Sequence, residues 1–447
     1  IKKIDEDLLN RSNFSKSLAD AILSYHEKES IVTGLYGKWG SGKSSVINMC
    51  LEQIKQSSES LPDKNKPVVI NFNPWNYSDQ SQLVFQFFKQ LSIALKKGEA
   101  GSDLSKIADR FEIYAEFFGA MAVIPEASIS VFSAIMSKAT KLLGSNKKKL
   151  ADLKKLDLEG IRGELNSLLA KQERKIIIVI DDIDRLTSTE IRQIFQLVKM
   201  LGDFPNTVYL LSFDAEVVVE SLKDVQAGLG QEYLEKIVQI PFELPDASLQ
   251  LVYEFLSKNI NILLQDTADG QWDDNYFQNI FHSGFNQFFS NLRDVTRYIN
   301  TLRFGFGAVK EYVNLADFMA ITALQVFEPE VYRGIRDNKG VFSGVISESL
   351  NSTEQEINQL KVRCDEILAR SKRLDEIVVK EFLTQLFPKL LKVYGNTFYG
   401  NDFLSGWRLK GRICSPDIFD VFFKLSLADN EISNWEMRAI LSLQMIG

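Results

Sequence analysis

The sequence predicts an α/β core built on a parallel sheet and carrying a helical insert, followed by a mainly helical C-terminal domain. Three observations predict it. A glycine-rich loop lies between an apolar run and a helix-like segment near the start of the chain. A wholly β-branched run at 176–180 ends in a group of carboxylates. Beyond Pro245 the hydrophobic pattern turns almost entirely helical.

Residues 15–30 read as a helix ahead of a first strand at 31–36, Ile31-Val32-Thr33-Gly34-Leu35-Tyr36. The next stretch, Gly37-Lys38-Trp39-Gly40-Ser41-Gly42-Lys43-Ser44-Ser45, fits G-x-x-x-x-G-K-[ST] with a strand before it and a helix, Lys43 to Lys55, after it. Glycines let backbone N–H groups converge on phosphate oxygens, and the following helix N-terminus adds a favourable dipole. Lys43 supplies a point charge for the β- and γ-phosphates, and the Ser44 hydroxyl is suited to Mg²⁺. All nine residues, Gly37 to Ser45, are therefore expected nucleotide contacts. Lys43 reads as an exposed loop residue whose removal would leave the fold intact. A glycine-rich turn before an ordinary helix is the plainer alternative, and a second motif weighs against it.

That motif is Ile176-Ile177-Ile178-Val179-Ile180-Asp181-Asp182-Ile183-Asp184-Arg185. Five β-branched residues without alternation predict a strand buried on both faces of a parallel sheet. Ligands bind beyond the carboxyl ends of such strands, where these acids begin. Asp181 is the expected partner of Mg²⁺ with Ser44. Asp182 sits where an acid orients or deprotonates an attacking water, although glutamate is the commoner residue and aspartate has a shorter reach. Asp184 is open between a site acid and a solvated strand end.

Between these motifs lie a polar linker at Lys64–Lys66, a strand at 67–72, a break at Asn73-Pro74-Trp75 and helical periodicity over 80–96. The interval from Lys43 to Asp181 exceeds the need of a minimal nucleotide domain, so a largely helical insert is placed at about 97–172. Within it Phe117 to Met136 is apolar, interrupted by Pro125 and Glu126, and Lys147-Lys148-Lys149 follows. A membrane hairpin with a basic flank competes with buried or oligomer-forming helices. Each half is about ten residues, short of the roughly 20 that span a bilayer, which favours burial in protein. Further strands are placed at Val208–Asp214, ending in polar residues, and at Ile237–Pro245. The core is thus 1–245 and the helical domain 246–447, with a helix starting near Thr353–Glu356 and stopping near Pro388.

Composition agrees with a globular chain of two or three domains: 447 residues, 45% apolar and 25% charged. A net charge of −7 argues against a strongly basic nucleic-acid scaffold. Cys50, Cys364 and Cys414 lie far apart with no metal spacing, which suits a reducing cytosol. With only His26 and His282, a histidine metal centre or Ser/His triad has no basis. Phe277, Phe281, Phe285, Phe288 and Phe289 recur at helical spacing and read as core. Ile1 in place of Met, and the interrupted helical pattern at Leu441-Ser442-Leu443-Gln444, read as a fragment or processed chain with a further domain beyond.

Taken together these motifs resemble the KAP family of P-loop NTPases, related to the AAA+ and STAND ATPases. Asn71-Phe72-Asn73-Pro74-Trp75 resembles the family's strand ending in Pro-Trp, and Asp181-Asp182-Ile183-Asp184-Arg185 its acidic motif. Tyr233 to Gln239 is similar to the segment before its last strand, and Asn291 to Asn300 to the helix that opens its lid. Val326-Phe327-Glu328-Pro329 and Ser415 to Asp420 are also similar. The resemblance covers about 1–430. There are two departures: the insert, where many members carry transmembrane helices, is interrupted, and Leu292 stands where a proline often precedes the lid arginine.

The resemblance implies an ATPase using ATP and Mg²⁺, with Asp182, Asp214 and Arg293 as catalytic residues. Arg293 and Arg297 lie one turn apart, so both can face one anion, and a guanidinium fork suits a γ-phosphate. Asp214, with Ser212, falls at a strand end suited to a polar sensor; Arg185 and Lys236 are candidate trans-acting charges or ordinary ion-pair partners. The implied setting is a cytoplasmic homo-oligomer of ring-like form, working with a separate effector in prokaryotic antiviral defence. A weakly hydrolysing membrane-associated scaffold and a DNA-handling motor are the alternatives. No basic channel or attached nuclease supports the motor, and residues 140–180 lack the Ser-Gly-Gly signature of an ABC ATPase.

Overall fold

The computed structural model describes residues 7–77, 83–96, 103–121, 158–201, 203–223, 230–265, 267, 272–346, 354–395, 397 and 399–424. The chain divides into two compact units, one through Asp246 and one from Ala247.

The first unit is a five-stranded, all-parallel sheet. Its strands are β1 (Ile31–Tyr36), β2 (Val68–Phe72), β3 (Ile176–Ile180), β4 (Thr207–Phe213) and β5 (Ile240–Glu243), in the spatial order β2-β3-β4-β1-β5. Helix α1 (Ser12–Ser24) precedes the first strand; parallel neighbours require crossovers, and the helices after it supply them: α2 (Lys43–Ser58), α3 (Leu83–Leu95), α4 (Asp103–Met121), α5 (Leu158–Ala170), α6 (Ser188–Gln196), α7 (Ala215–Leu222) and α8 (Gly230–Glu235). Pro241 is tolerated inside β5 because that strand lies at the sheet edge.

The unbroken apolar run of β3 is divided by the pleat. Ile176, Ile178 and Ile180 join one cluster with Phe72, Phe87, Phe88, Phe111 and Phe204, while Ile177 and Val179 join another with Leu18, Ile22, Val46, Ile47 and Cys50. Both faces are therefore covered, which is why no alternation is visible in the sequence. Each fully buried isoleucine contributes roughly 1.5–3 kcal/mol, so β3 is an anchor as well as a carrier of acids. Cys50, Cys364 and Cys414 are free and buried. Burial pushes the Cys50 thiol up to about 12, which leaves it without thiolate reactivity.

The expected insert is described only in part. It contributes α4 and α5, and the apolar segment Phe117 to Met136 is described no further than Met121; Pro125, Glu126 and Lys147–Lys149 lie outside the described residues. No helix among the described residues is long and apolar enough to cross a membrane.

The second unit is helical throughout its described residues. It includes α9 (Leu249–Leu264), α10 (Asp274–His282), α11 (Leu292–Val309), α12 (Leu315–Phe327) and further helices at Glu354–Leu368 and Glu376–Leu386. The phenylalanine series is core, as expected, but not on one helix. Gly284 adopts φ +146°, ends α10, and starts a tight turn of 3-10 helix at Phe285–Phe288. Only at a residue without Cβ is that backbone relaxed, so the periodicity is broken where the sequence suggested continuity. Phe277 and Phe281 pack at the margin while Phe285, Phe288 and Phe289 are fully buried.

One buried carboxylate organises this unit. Glu328, 1% exposed, accepts from the Ser371 hydroxyl (2.8 Å) and the amides of Lys372 (2.9 Å), Arg373 (2.7 Å) and Leu374 (3.0 Å). Arg373 in turn pairs with Asp294 of α11 and covers the Phe327 ring. Glu328→Ala takes the acceptor away from the amides of Lys372, Arg373 and Leu374 and is expected to lower stability by on the order of 3 kcal/mol. Chemical denaturation measures this; an unchanged midpoint would show that the segment finds other acceptors.

Candidate functional site

The phosphate loop leaves the sheet where β1 meets β4: the Gly37 N–H donates to the Phe213 carbonyl at 3.2 Å. Register pairs Tyr36 with Phe213 and Ile180 with Leu211, so the loop, Asp181 and Asp214 emerge together at the carboxyl end of the sheet. Sheet order explains the proximity. β4 lies between the loop strand β1 and the acidic strand β3.

The loop backbone has the form its glycines permit. Gly40 (φ +82°) and Gly42 (φ +95°) are left-handed, and a Cβ on Gly37 would come to 2.7 Å from Ser41 Oγ. Gly42 then caps α2, whose first-turn amides have no intrahelical acceptor. Lys43 opens that helix and is not the exposed loop residue expected. Its side chain is 10% exposed, its ammonium donates to the carbonyls of Gly37 (2.7 Å) and Lys38 (3.3 Å), and it lies 3.5 Å from Asp184 Oδ2. Asp184, at 5% side-chain exposure, is thus a buried partner of the loop lysine and not a solvated strand end. Ser44 is exposed on the first turn and Ser45 half-buried behind it.

Asp181 receives the backbone N–H of Asp182 at 2.9 Å. Asp182 itself has φ +61°, a left-handed conformation rare outside glycine, asparagine and aspartate and characteristic of functional sites. One of its oxygens meets Arg185 at 2.8 Å, the other accepts from Asn73 Nδ2 at 3.1 Å. Burial raises its carboxyl above the ordinary aspartate value, helped by Asp181 and Asp184 and opposed by Arg185 and Asn73. Arg185 also lies 5.0 Å from the Trp39 ring centroid, linking acid and phosphate loop through a cation–π contact. Removing that guanidinium takes away an ionisation-favouring charge. Arg185→Ala is therefore expected to move the acidic limb of a pH–turnover profile to higher pH. An unmoved limb would mean that Arg185 serves only Trp39.

Asp214 caps α7, accepting the Glu216 N–H at 3.1 Å, and Ser212 Oγ behind it is buried with no hydrogen-bond partner among the described residues. Ser41 Oγ is in the same position within the loop. Arg293 and Arg297 belong to the second unit, both exposed on α11. Leu292 does not disturb that helix start, because Asn291 caps it by accepting the Asp294 N–H at 3.0 Å.

Three contributors escape a reading of the chain alone. Asn73 registers as a strand breaker in a family-like stretch but not as a partner of Asp182, because nothing local says that β2 neighbours β3. Asp184 is ambiguous until Lys43 is placed beside it. Arg11, buried behind the loop, carries no motif at all.

The cradle fits a nucleotide with its metal. A glycine backbone crowded at Gly37, an unpartnered hydroxyl at Ser41, a lysine at the loop's end and an exposed Ser44 with Asp181 at the same end of the sheet are the donors and acceptors such a group requires.

A strand–loop–helix cradle on a parallel sheet, flanked by an acidic strand end, defines a P-loop nucleoside-triphosphate-binding domain. The KAP family P-loop domain matches residues 11–304, and the chain belongs to that family. The phage T7 exclusion protein of Escherichia coli (strain K12) is 23% identical over 349 residues, covering 74% of this chain and 46% of that protein. The chain thus spans about half the length of that relative. Among solved structures, Aeropyrum pernix ORC2, in ADPNP–ADP complexes, aligns at 10% identity and TM-score 0.37 over 87% of each chain. Aeropyrum pernix ORC1, in complex with DNA, aligns at 13% and 0.37 over 87% of this chain and 95% of that one. Cdc6p from Pyrobaculum aerophilum aligns at 12% and 0.37 over 94% of each.

Proposed function

We propose that this chain is a Mg²⁺-dependent ATPase that works as a nucleotide-driven oligomeric switch in prokaryotic antiviral defence. The observation that carries the reading is the setting of Lys43, held by the Gly37 and Lys38 carbonyls at the mouth of the loop with Asp184 behind it. That arrangement holds a point charge over the loop amides, where β- and γ-phosphates would lie. Ser44 and Asp181 would hold Mg²⁺, which when bound neutralises phosphate charge. Asp182, whose carboxyl burial holds above its ordinary value, is suited to accept a proton from water. Arg293 and Arg297 are assigned to the γ-phosphate, and Asp214 to sensing it. The relative named for phage exclusion supports the defence setting.

A second reading, a scaffold that binds ATP and turns it over slowly, is favoured by one observation: both oxygens of Asp182 are already engaged, by Arg185 and Asn73. Phosphate release from the purified chain, measured beside mass photometry over a concentration series, separates the two. Turnover per subunit that rises with assembly supports the switch. Tight ATP binding with turnover near background supports the scaffold, and a monomer with concentration-independent turnover removes the oligomeric part. The cytoplasmic setting and a separate effector belong to the same proposal.

A further inference from the structure

Arg11 is a buried charge that the proposed chemistry leaves unused. It is 7% exposed, and burial holds its guanidinium below the ordinary arginine value, against the opposing pull of Asp7 and Asp246. A buried guanidinium persists only where its donors are met. Nη1 donates to the Ser41 carbonyl, and Nη2 to the Pro245 carbonyl at 2.5 Å. Ser41 lies inside the phosphate loop. Pro245 stands two residues before the second unit begins at Ala247.

The mounting of this side chain is rigid. The Arg11 carbonyl accepts the Ser15 N–H at 2.9 Å and so opens α1. Asp7 braces the approach by accepting from the amides of Leu9 (3.1 Å) and Ser12 (2.7 Å). Leu18, Ala19 and Ile22 then seat α1 in one apolar cluster with Val46, Ile47 and Cys50 of α2. At the other end, a Cβ on Gly42 would come to 2.9 Å from Arg11 Nη1, so the bare backbone there is what lets the guanidinium reach the loop. The preceding residue, Leu244, donates its N–H to Tyr36 at 2.8 Å, and a Cβ on Gly37 would lie 3.3 Å from its Cβ. Residues 244–245 therefore meet the loop twice, at its first glycine and through Arg11 at Ser41.

We propose that Arg11 is a coupling residue that transmits the conformation of the phosphate loop to the last residues of the first unit. The inference rests on the nucleotide-binding reading of the loop. Two nitrogens of one planar fork, each on a different carbonyl, constrain the distance between the Ser41 and Pro245 peptides. When the Ser41 peptide turns as the loop amides engage phosphate, the fork carries Pro245 with it. A lysine presents a single nitrogen on a flexible stem and cannot hold both carbonyls in fixed relation.

Hydrogen–deuterium exchange across residues 240–246, with and without Mg²⁺–ATPγS, tests this in the intact chain, its Arg11→Lys variant and its Arg11→Gln variant. Calorimetry on the same samples reports nucleotide affinity, and thermal melts report folding. The wild type is expected to change its exchange at 240–246 on binding. Arg11→Lys should still bind nucleotide while losing that change. Arg11→Gln, whose amide can satisfy one carbonyl, provides the same comparison if the lysine variant does not fold. A variant that binds nucleotide and keeps the wild-type change overturns the coupling, as does a wild type that binds without any change there. A wild type that binds no nucleotide overturns the binding reading, and the coupling with it.

Discussion

Lys43→Ala is expected to lower ATP affinity by at least about 100-fold, equivalent to about 2.7 kcal/mol, and to abolish turnover. The lysine is held at the loop by the carbonyls of Gly37 and Lys38. Its burial beside Asp184 adds a second consequence that an exposed loop lysine would not have. Truncation leaves the Asp184 carboxylate, 5% exposed, without its ammonium, so stability should fall by roughly 1–3 kcal/mol. The double variant Lys43→Ala/Asp184→Asn should recover much of the stability and none of the binding. Calorimetry and thermal unfolding read the two effects separately. ATP binding at wild-type affinity in the single variant would remove the phosphate-loop assignment.

Asp182→Asn is expected to bind Mg²⁺–ATP as the wild type does and to lose turnover by about 10²-fold or more, as when a positioned base is removed. The substitution keeps the shape of the side chain and hence the contacts with Asn73 and Arg185 in part. Its effect on stability has a definite sign. The folded chain binds the Asp182 proton more tightly than an unfolded aspartate does, so the ionised group favours folding least at high pH. Stability from this group is present below the usual carboxylate range and is lost as pH rises through the raised value. The asparagine variant should therefore melt no lower than the wild type at neutral pH, and gain nothing in acid. A hydrolysis rate equal to wild type would make Asp182 structural and leave the water to another residue.

The sequence alone made the phosphate loop legible because its chemistry is local. Glycines at 37, 40 and 42, the lysine and the serines act within one short stretch of chain, and the strand before them is largely apolar. β3 was legible for the same reason: burial on both faces writes itself as five consecutive β-branched residues. The KAP resemblance followed from such stretches, and the family match over 11–304 agrees with it. The phenylalanine series shows the limit of that kind of reading, since one glycine in a left-handed conformation at 284 breaks a periodicity that composition cannot distinguish from a helix.

What only the tertiary structure decided is which distant residues meet. Strand order β2-β3-β4-β1-β5 sets Asn73 against Asp182 across more than a hundred residues of chain. Lys43 and Asp184 become a buried pair by the same crossovers, and Arg11 reaches both the loop and Pro245 only because α1 packs on α2. None of these contacts has a period or a spacing, because side chains from separate elements are brought together by sheet order and helix packing and not by their neighbours in sequence. The sequence by itself determined that a phosphate cradle and an acidic strand end exist. The fold decided that the acid is held by an asparagine and an arginine, that the lysine is buried, and that a guanidinium stands behind the loop.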